Sequence, residues 1–207
     1  AVLTVAGRAR YGAGEFRWRH GYCRSSPRKM VRMWAEKEMR NYRRLHLANL
    51  PCPEPLLLRE HVLVMTFIGY DGLAAPRLKD ATLSRSDAVR ASSQTFRLLR
   101  ALFFECHLVH ADFSEYNLLW YDGAVHVIDV SQSVEHDHPG ALAFLRKDCE
   151  NAISFFKRLR VPHLPALEQL FNYATDVNLP RGAYGSDADD EAYAALCASV
   201  VEQTATD

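Results

Sequence analysis

Eleven residues, Leu118-Leu119-Trp120-Tyr121-Asp122-Gly123-Ala124-Val125-His126-Val127-Ile128, leave this chain little choice of local structure. Two apolar runs flank Asp122-Gly123, and Asp-Gly between such runs is the strongest short-range signal for a β-hairpin with a two-residue turn. With Asp122 and Gly123 as the loop residues, Tyr121 pairs with Ala124, and counting outward sets Asn117 opposite Ile128. The turn thereby brings Asn117 and Asp129 together at the open end of the hairpin. An amide oxygen and a carboxylate so placed are oxygen ligands for a hard cation such as Mg²⁺, which takes a few of them together with phosphate and water. Asp112, five residues before Asn117 on the incoming loop, reaches the same spot as a proton acceptor.

A base for an attacking hydroxyl beside metal ligands that neutralise phosphates is what phosphoryl transfer requires. The stretch His110-Ala111-Asp112-Phe113-Ser114-Glu115-Tyr116-Asn117 has the His-x-Asp-x-x-x-x-Asn spacing of the protein-kinase catalytic loop, and the strand that follows ends in Asp129, as the kinase metal-binding Asp does. The plainer alternative is a hairpin whose polar ends are solvated turns. Either an Asp or an Asn near a turn is common; all three at this spacing favour chemistry.

A length of 207 residues suits one domain, or one domain and part of another, and 48% hydrophobic with 24% charged residues sustains a full core. Lys+Arg and Asp+Glu balance at 25 each, so net charge gives no argument for a nucleic-acid binder. Arginines crowd between Arg8 and Arg44, which leaves room for a local basic surface. The five cysteines, Cys23, Cys52, Cys106, Cys149 and Cys197, form no C-x-x-C pair. That scatter suits reduced, intracellular thiols rather than a disulfide framework or a zinc site. No apolar run approaches eighteen residues and no signal peptide is visible, so a soluble chain with no membrane partner is expected.

Within residues 1–26, Ala1 to Val5 could form a short strand. Phe16, Trp18 and Tyr22 alternate with arginines either as an aromatic strand with a solvated face, the favoured reading, or as a phosphate-stacking surface. Ser26-Pro27 predicts a helix start, Ser as N-cap and Pro at the first helical position, running to about Leu47 before Pro51 and Pro53. Its stripe is Val31, Trp34, Glu38, Tyr42 and Leu45. Glu38, a carboxylate on an apolar stripe, must gain a cation or lie at the rim of a cleft; the alternative is a surface Glu at the stripe's edge, like Glu36. Leu56 to Leu58 and Val62 to Met65 predict strands joined at Arg59-Glu60-His61. Thr66 to Gly69 then leaves the sheet, and residues 70–84 read as loop. A helix from Ser84 or Ser86 to about Cys106 buries Val89, Phe96, Leu99, Phe103 and Cys106. Another, opened by Pro139 and reaching about Lys157, buries Leu142, Leu145, Cys149, Ile153 and Phe156. Leu164 to Ala174 reads as helix, and Asp187, Asp189, Asp190 and Glu191 suit the N-terminus of a last helix, with a solvated acidic face favoured over a partner site. His136 and His138 around Asp137 could be a metal site, but loop histidines bonded to local carbonyls are favoured.

Taken together, His110 to Asn117, Ile128-Asp129-Val130-Ser131-Gln132-Ser133-Val134-Glu135-His136-Asp137-His138-Pro139, Trp34 to Asn41 and Pro51-Cys52-Pro53 closely resemble the RIO family of atypical serine/threonine protein kinases. Glu135 to Pro139 and Gly14-Glu15-Phe16-Arg17 look most like its first branch, with the third as the near alternative. The resemblance runs from about Tyr11 to Leu179. It implies an α+β, protein-kinase-like (RIO) fold: a truncated small β-lobe within residues 1–68, a mainly helical large lobe over 69–180 and a C-terminal acidic, helical tail over 181–207. It implies ATP and Mg²⁺ as ligands and serine autophosphorylation. It further implies cytoplasmic late maturation of the small ribosomal subunit on a pre-40S particle, and ATPase action through a transient phosphoryl group on the metal-binding Asp. By position, Asp112 is the proton acceptor, Asn117 and Asp129 hold Mg²⁺, and Asp129 is also the phosphorylated carboxylate. Glu38 is the acid of the αC-type helix, and Met65, Thr66 and Ile68 form the adenine-binding hinge.

The chain departs from that pattern in one respect. The family's glycine-rich loop and its ATP-gripping lysine precede the segment matching Ala1 to Tyr11, and the first lysine here is Lys29, at the start of the helix that carries Glu38. A small lobe without those strands would expose a sheet edge. The expectation is therefore a RIO-type kinase and ATPase in its intact form, with a catalytically inactive binding module for pre-ribosomal surfaces as the alternative. A small-molecule phosphotransferase of kinase-like fold is the third option.

Overall fold

A computed structural model describes residues 27–204. The readings of residues 1–26, including Cys23 and the Ser26 cap, lie outside the described residues. Helix α1, Pro27–Leu47, comes first. It stops because Asn49 adopts a left-handed conformation (φ 55°). The amides of Asn49 and Leu50 then turn back onto the carbonyls of His46 and Leu45 at 3.0 and 2.9 Å, the double closure of a Schellman motif. Strands β1, Pro55–Arg59, and β2, Val62–Met65, form an antiparallel hairpin as the apolar runs predict. The stretch expected to be loop holds a further small hairpin, β3 (Gly69–Tyr70) and β4 (Leu73–Ala74), turned by Asp71 and Gly72 at positive φ.

Helix α2, Arg85–Phe104, starts at Ser84, whose side chain accepts the Asp87 N–H at 3.1 Å. It leads to β5, Leu108–Val109, and then to the hairpin of β6, Leu118–Tyr121, and β7, Ala124–Val127. A 3₁₀ turn, Val130–Gln132, separates β7 from β8, Val134–Glu135, which pairs with β5. Helices α3 (Ala141–Arg158), α4 (Leu167–Thr175) and α5 (Asp187–Thr204) close the chain. No helix among the described residues is long and apolar enough to cross a membrane.

The core lies among α2, α3, α4 and the central hairpin, with Phe96, Leu99, Leu102, Phe113, Leu145, Phe156 and Leu170 buried. Burying each such side chain is worth about 1.5–3 kcal/mol. Most of the expected helix stripes are buried: Tyr42, Leu45, Phe96, Leu99, Cys106, Leu145, Cys149 and Phe156. Val31, Val89 and Leu142 are exposed instead, while Met30, Ala35, Met39, Ala88, Ala91, Ala141 and Ala152 are buried. Small residues thus join the larger apolar ones on the buried faces. The acidic face of the last helix is also not uniformly solvated. Asp189 is buried and lies 3.5 Å from the Arg97 guanidinium, which also pairs with Asp190. Arg97 thus ties α5 to α2. Arg100, one turn on, is buried and donates to the carbonyls of Tyr173, Asp176, Leu179 and Pro180.

Arg100→Met keeps most of the side-chain volume but leaves those carbonyls without their donor. We expect a loss of about 2–4 kcal/mol in urea unfolding, whereas Arg146→Met on the exposed face of α3 should change stability by less than about 0.5 kcal/mol.

Candidate active site

The central hairpin has the register that its turn dictates: Tyr121 pairs with Ala124 and Leu118 with Val127. Asp122 and Gly123 both have positive φ, 50° and 73°, the backbone of a type I′ turn. Helix α2 grips this turn through Gln94, whose amide donates to the Gly123 carbonyl at 3.0 Å and accepts the Val125 N–H at 2.8 Å. One step beyond the strands, the Ile128 N–H donates to the Asn117 carbonyl at 3.0 Å, so Asn117 does lie opposite Ile128.

The sequence-predicted residues meet here. The Asn117 amide group donates to both the carbonyl and the Oδ2 of Asp112, at 2.8 and 3.0 Å. Gln132 donates to the same Oδ2 at 3.4 Å, and Ser131 donates to Asp129 Oδ1 at 2.6 Å. Neighbouring residues of the 3₁₀ turn therefore hold the two acids. With its nitrogen turned to Asp112, Asn117 leaves its Oδ1 as an acceptor, and Asp129 keeps its second carboxylate oxygen. Oxygen donors of this kind fit Mg²⁺. No cluster of three His, Cys, Asp or Glu among the described residues could hold a metal by itself. The two observations agree, because Mg²⁺ sites commonly use one or two protein ligands and complete their shell with phosphate and water.

Asp129 is strained. Its backbone is left-handed, φ 55° and ψ 61°, a conformation that costs a non-glycine residue about 1–2 kcal/mol. Bonds on either side hold it. The buried His110 shares a hydrogen bond with the Ile128 carbonyl at 3.1 Å, which requires the proton on Nε2. Burial lowers the His110 pKa and keeps the ring neutral. Asn41 donates to the Val130 carbonyl at 2.9 Å, and the Asp129 N–H donates to the Tyr42 hydroxyl at 2.9 Å.

Beside this group lies a cleft of about 540 Å³, lined among others by Met65, Thr66, Ile68, Arg77, Leu119 and Ile128. That is a volume suited to a small-molecule ligand. Thr66 donates its N–H to the Glu54 carbonyl and Ile68 accepts the Ala75 N–H through its carbonyl. Glu38 is half-buried on α1, one turn before Tyr42. His136 and His138 stand apart from the site: His136 packs on Phe103 and His107, and His138 Nδ1 accepts the Gly140 N–H rather than bonding a carbonyl.

Sequence reasoning missed Asp148. On α3 it is almost wholly inaccessible, and its two oxygens accept the N–H groups of Ala111 and Phe113, both at 2.9 Å. It holds the loop on either side of Asp112, with Ala111 itself at φ 66°. The signal was present, since Asp148 falls three residues after Leu145 on the buried side of the helix, the same argument that singled out Glu38. Burial raises its pKa from 3.8 to about 7, against the two amide bonds that favour ionisation.

The folded protein thus keeps a proton on Asp148 at pH values where an unfolded aspartate has lost it, so this residue's contribution to stability falls as pH rises from about 4 to about 7. In Asp148→Asn that slope should be absent from denaturant midpoints measured across the same window. An unchanged slope would assign the titration elsewhere.

Residues 3–169 match the RIO domain. The chain is 56% identical over 176 residues to the serine/threonine-protein kinase RIO1 of Caenorhabditis elegans, covering 85% of this chain and 35% of that protein. It is 46% identical over 172 residues to human serine/threonine-protein kinase RIO3, covering 83% and 33%. It thus spans about a third of the length of the curated relatives it matches. Among solved structures, the Rio2 kinase–ADP/Mg²⁺–phosphoaspartate complex from Chaetomium thermophilum superposes with a TM-score of 0.56 at 22% identity, over 89% of this chain and 58% of that one. That likeness fixes the fold as kinase-like. With a domain match over most of its length and relatives well above 30% identity in two branches, the chain belongs to the RIO kinase family.

Proposed function

We propose that this chain carries the catalytic core of a RIO-type serine/threonine kinase and ATPase, transferring the γ-phosphoryl group of ATP with Mg²⁺. The observation that supports it most is the bonding of Asn117 to Asp112 at the open end of a hairpin whose register sets Asn117 opposite Ile128, the residue before Asp129, beside a cleft of ligand size. The Thr66 carbonyl and Ile68 N–H offer an acceptor and a donor two residues apart. They complement the adenine edge, whose amino group donates and whose ring nitrogen accepts.

Asp112 accepts the proton of an attacking serine hydroxyl. The oxygen–phosphorus bond forms as the bond to the ADP leaving oxygen breaks, so the proton ends on the carboxylate and the negative charge on ADP. Asn117 Oδ1 and the Asp129 carboxylate are the residues to hold Mg²⁺, which when bound neutralises charge on the phosphate oxygens. In the ATPase cycle the Asp129 carboxylate is itself the phosphoryl acceptor and is regenerated by hydrolysis. A phosphoaspartate named in the Rio2 complex supports this for a relative of the same fold. Glu38 serves as the acid of the αC-type helix. The same reading includes cytoplasmic action on a pre-40S particle, with protein substrate or autophosphorylation, and membership of the family supports it. A pure binding module has one observation on its side, the apolar face that Leu57, Val62 and Val64 expose on the β1–β2 hairpin.

Calorimetry with Mg²⁺–ATP separates the two readings, because a pure binding module takes up no nucleotide. In an active protein, Asp112→Asn should lower kcat about 10²–10⁴-fold with nucleotide affinity unchanged. Asp129→Asn should abolish the Mg²⁺ dependence of binding and any phosphoaspartate detected by mass spectrometry. Undiminished turnover in either variant refutes the assigned roles.

A further inference from the structure

The Asp129 amide has one partner, and it comes from the opposite element. Four neighbouring backbone groups between Ile128 and Val130 are fixed by side chains or strand pairing. Ile128 N–H and C=O are held from the catalytic side by Asn117 and His110, and Val130 C=O is held by Asn41. The Asp129 N–H is held by Tyr42 alone. Tyr42 is 2% exposed and belongs to the core cluster with Leu45 and Leu50, so its hydroxyl is carried on a ring that cannot swing away.

We propose that Tyr42 is a positioning residue for Asp129: its phenol oxygen, by accepting the Asp129 N–H, holds the left-handed backbone that sets the direction of the Asp129 carboxylate. The inference rests on the proposed role of Asp129 and adds a residue to it. A phenylalanine would pack as well but would take away the acceptor that this part-buried bond gives the Asp129 N–H, and with it one restraint on the left-handed backbone. The geometry also makes α1 a partner in metal binding although it contributes no ligand. With Asn41 and Tyr42 adjacent, a shift of α1 away from the 3₁₀ turn would remove both of these side-chain bonds together, leaving the Val130 carbonyl to the Ser133 N–H alone.

The test is Tyr42→Phe in the 207-residue chain, read by amide hydrogen exchange at Asp129. Loss of one ordinary hydrogen bond should speed that exchange by roughly fivefold or more, with circular dichroism unchanged. Mn²⁺ titrated in the presence of a non-hydrolysable ATP analogue should bind roughly fivefold more weakly, while analogue affinity in EDTA stays the same. Unaltered exchange at Asp129 overturns the tether, and faster exchange with undiminished Mn²⁺ affinity overturns its role in positioning. The unaltered chain gives a second readout that needs no variant to fold: its Asp129 amide should be protected at least tenfold over an unstructured amide, and no protection overturns the proposal. Exchange requires no nucleotide. A failure of the unaltered chain to bind Mg²⁺–ATP would therefore count against the reading of the site, while leaving the exchange result to decide the tether.

Discussion

One buried carboxylate turns the loop that carries Asp112 into a fixed object. Asp148 receives the amides of Ala111 and Phe113, and those are the two N–H groups flanking Asp112. Two effects compete at this residue. Ionised, it would gain from both amide bonds, each worth about 1.5–3 kcal/mol to a charged acceptor. Burial opposes the charge and wins, because a rise from 3.8 to about 7 amounts to about 4 kcal/mol against ionisation. The loop is therefore held by a group balanced between a neutral and a charged acceptor at neutral pH. Without it, two buried donors beside the proposed base would lie unpaired, and the left-handed Ala111 would lose its restraint.

From that anchor the site is assembled by contacts between elements distant in sequence. Asn117 bridges the loop to the hairpin. Ser131 and Gln132 return from the 3₁₀ turn to the two acids. Helix α1 reaches in with Asn41 and Tyr42, and Arg44 bonds Glu135 of β8 at 2.6 Å. That ion pair is about a third exposed on each side, so solvent screening limits its strength. The packing of α1 on the turn, more than its charge, joins the small lobe to the large one. The segment 76–80 adds a second connection: Leu78 and Trp120 exchange backbone bonds with Leu118 and Pro76 at 2.8 and 2.9 Å, fastening the chain that leaves the hinge to the strand that follows Asn117.

What could be read in the sequence was local. Asp122-Gly123 dictates its turn with two positive φ values, and the turn dictates the register, so the placement of Asn117 against Ile128 needed no tertiary information. Ser84 as a cap and the exit of the chain after Met65 were legible for the same reason. The misreadings share another cause. Val31, Val89 and Leu142 are apolar at helical spacing, but the buried faces also use Ala35, Ala88 and Ala141, and periodicity in hydrophobicity underweights small residues. Asp189 was read as solvated because its partner Arg97 lies on a helix 92 positions earlier. Asp148 and Tyr42 act through backbone amides, which carry no residue identity for a sequence motif to show. The proposed acids stood out as a pattern and Asp148 as a polar residue on a buried stripe, whereas the backbone bonds that Asp148 and Tyr42 make were visible only in three dimensions.

The β1–β2 hairpin has a different character from the rest. Its inward residues Leu58, Leu63 and Met65 are only partly covered, while Leu57, Val62 and Val64 face outward. Little apolar area is thus removed from water when it forms, although Leu63 and Met65 still pack against the main core and α1 contacts both strands. With most of its side chains exposed, it opens at lower free energy than the helical core around Phe96 and Phe156. The wall of the cleft that carries Met65 and Thr66 thus belongs to a less stable region than that core. A ligand spanning both walls would tie these two regions into one cooperative unit.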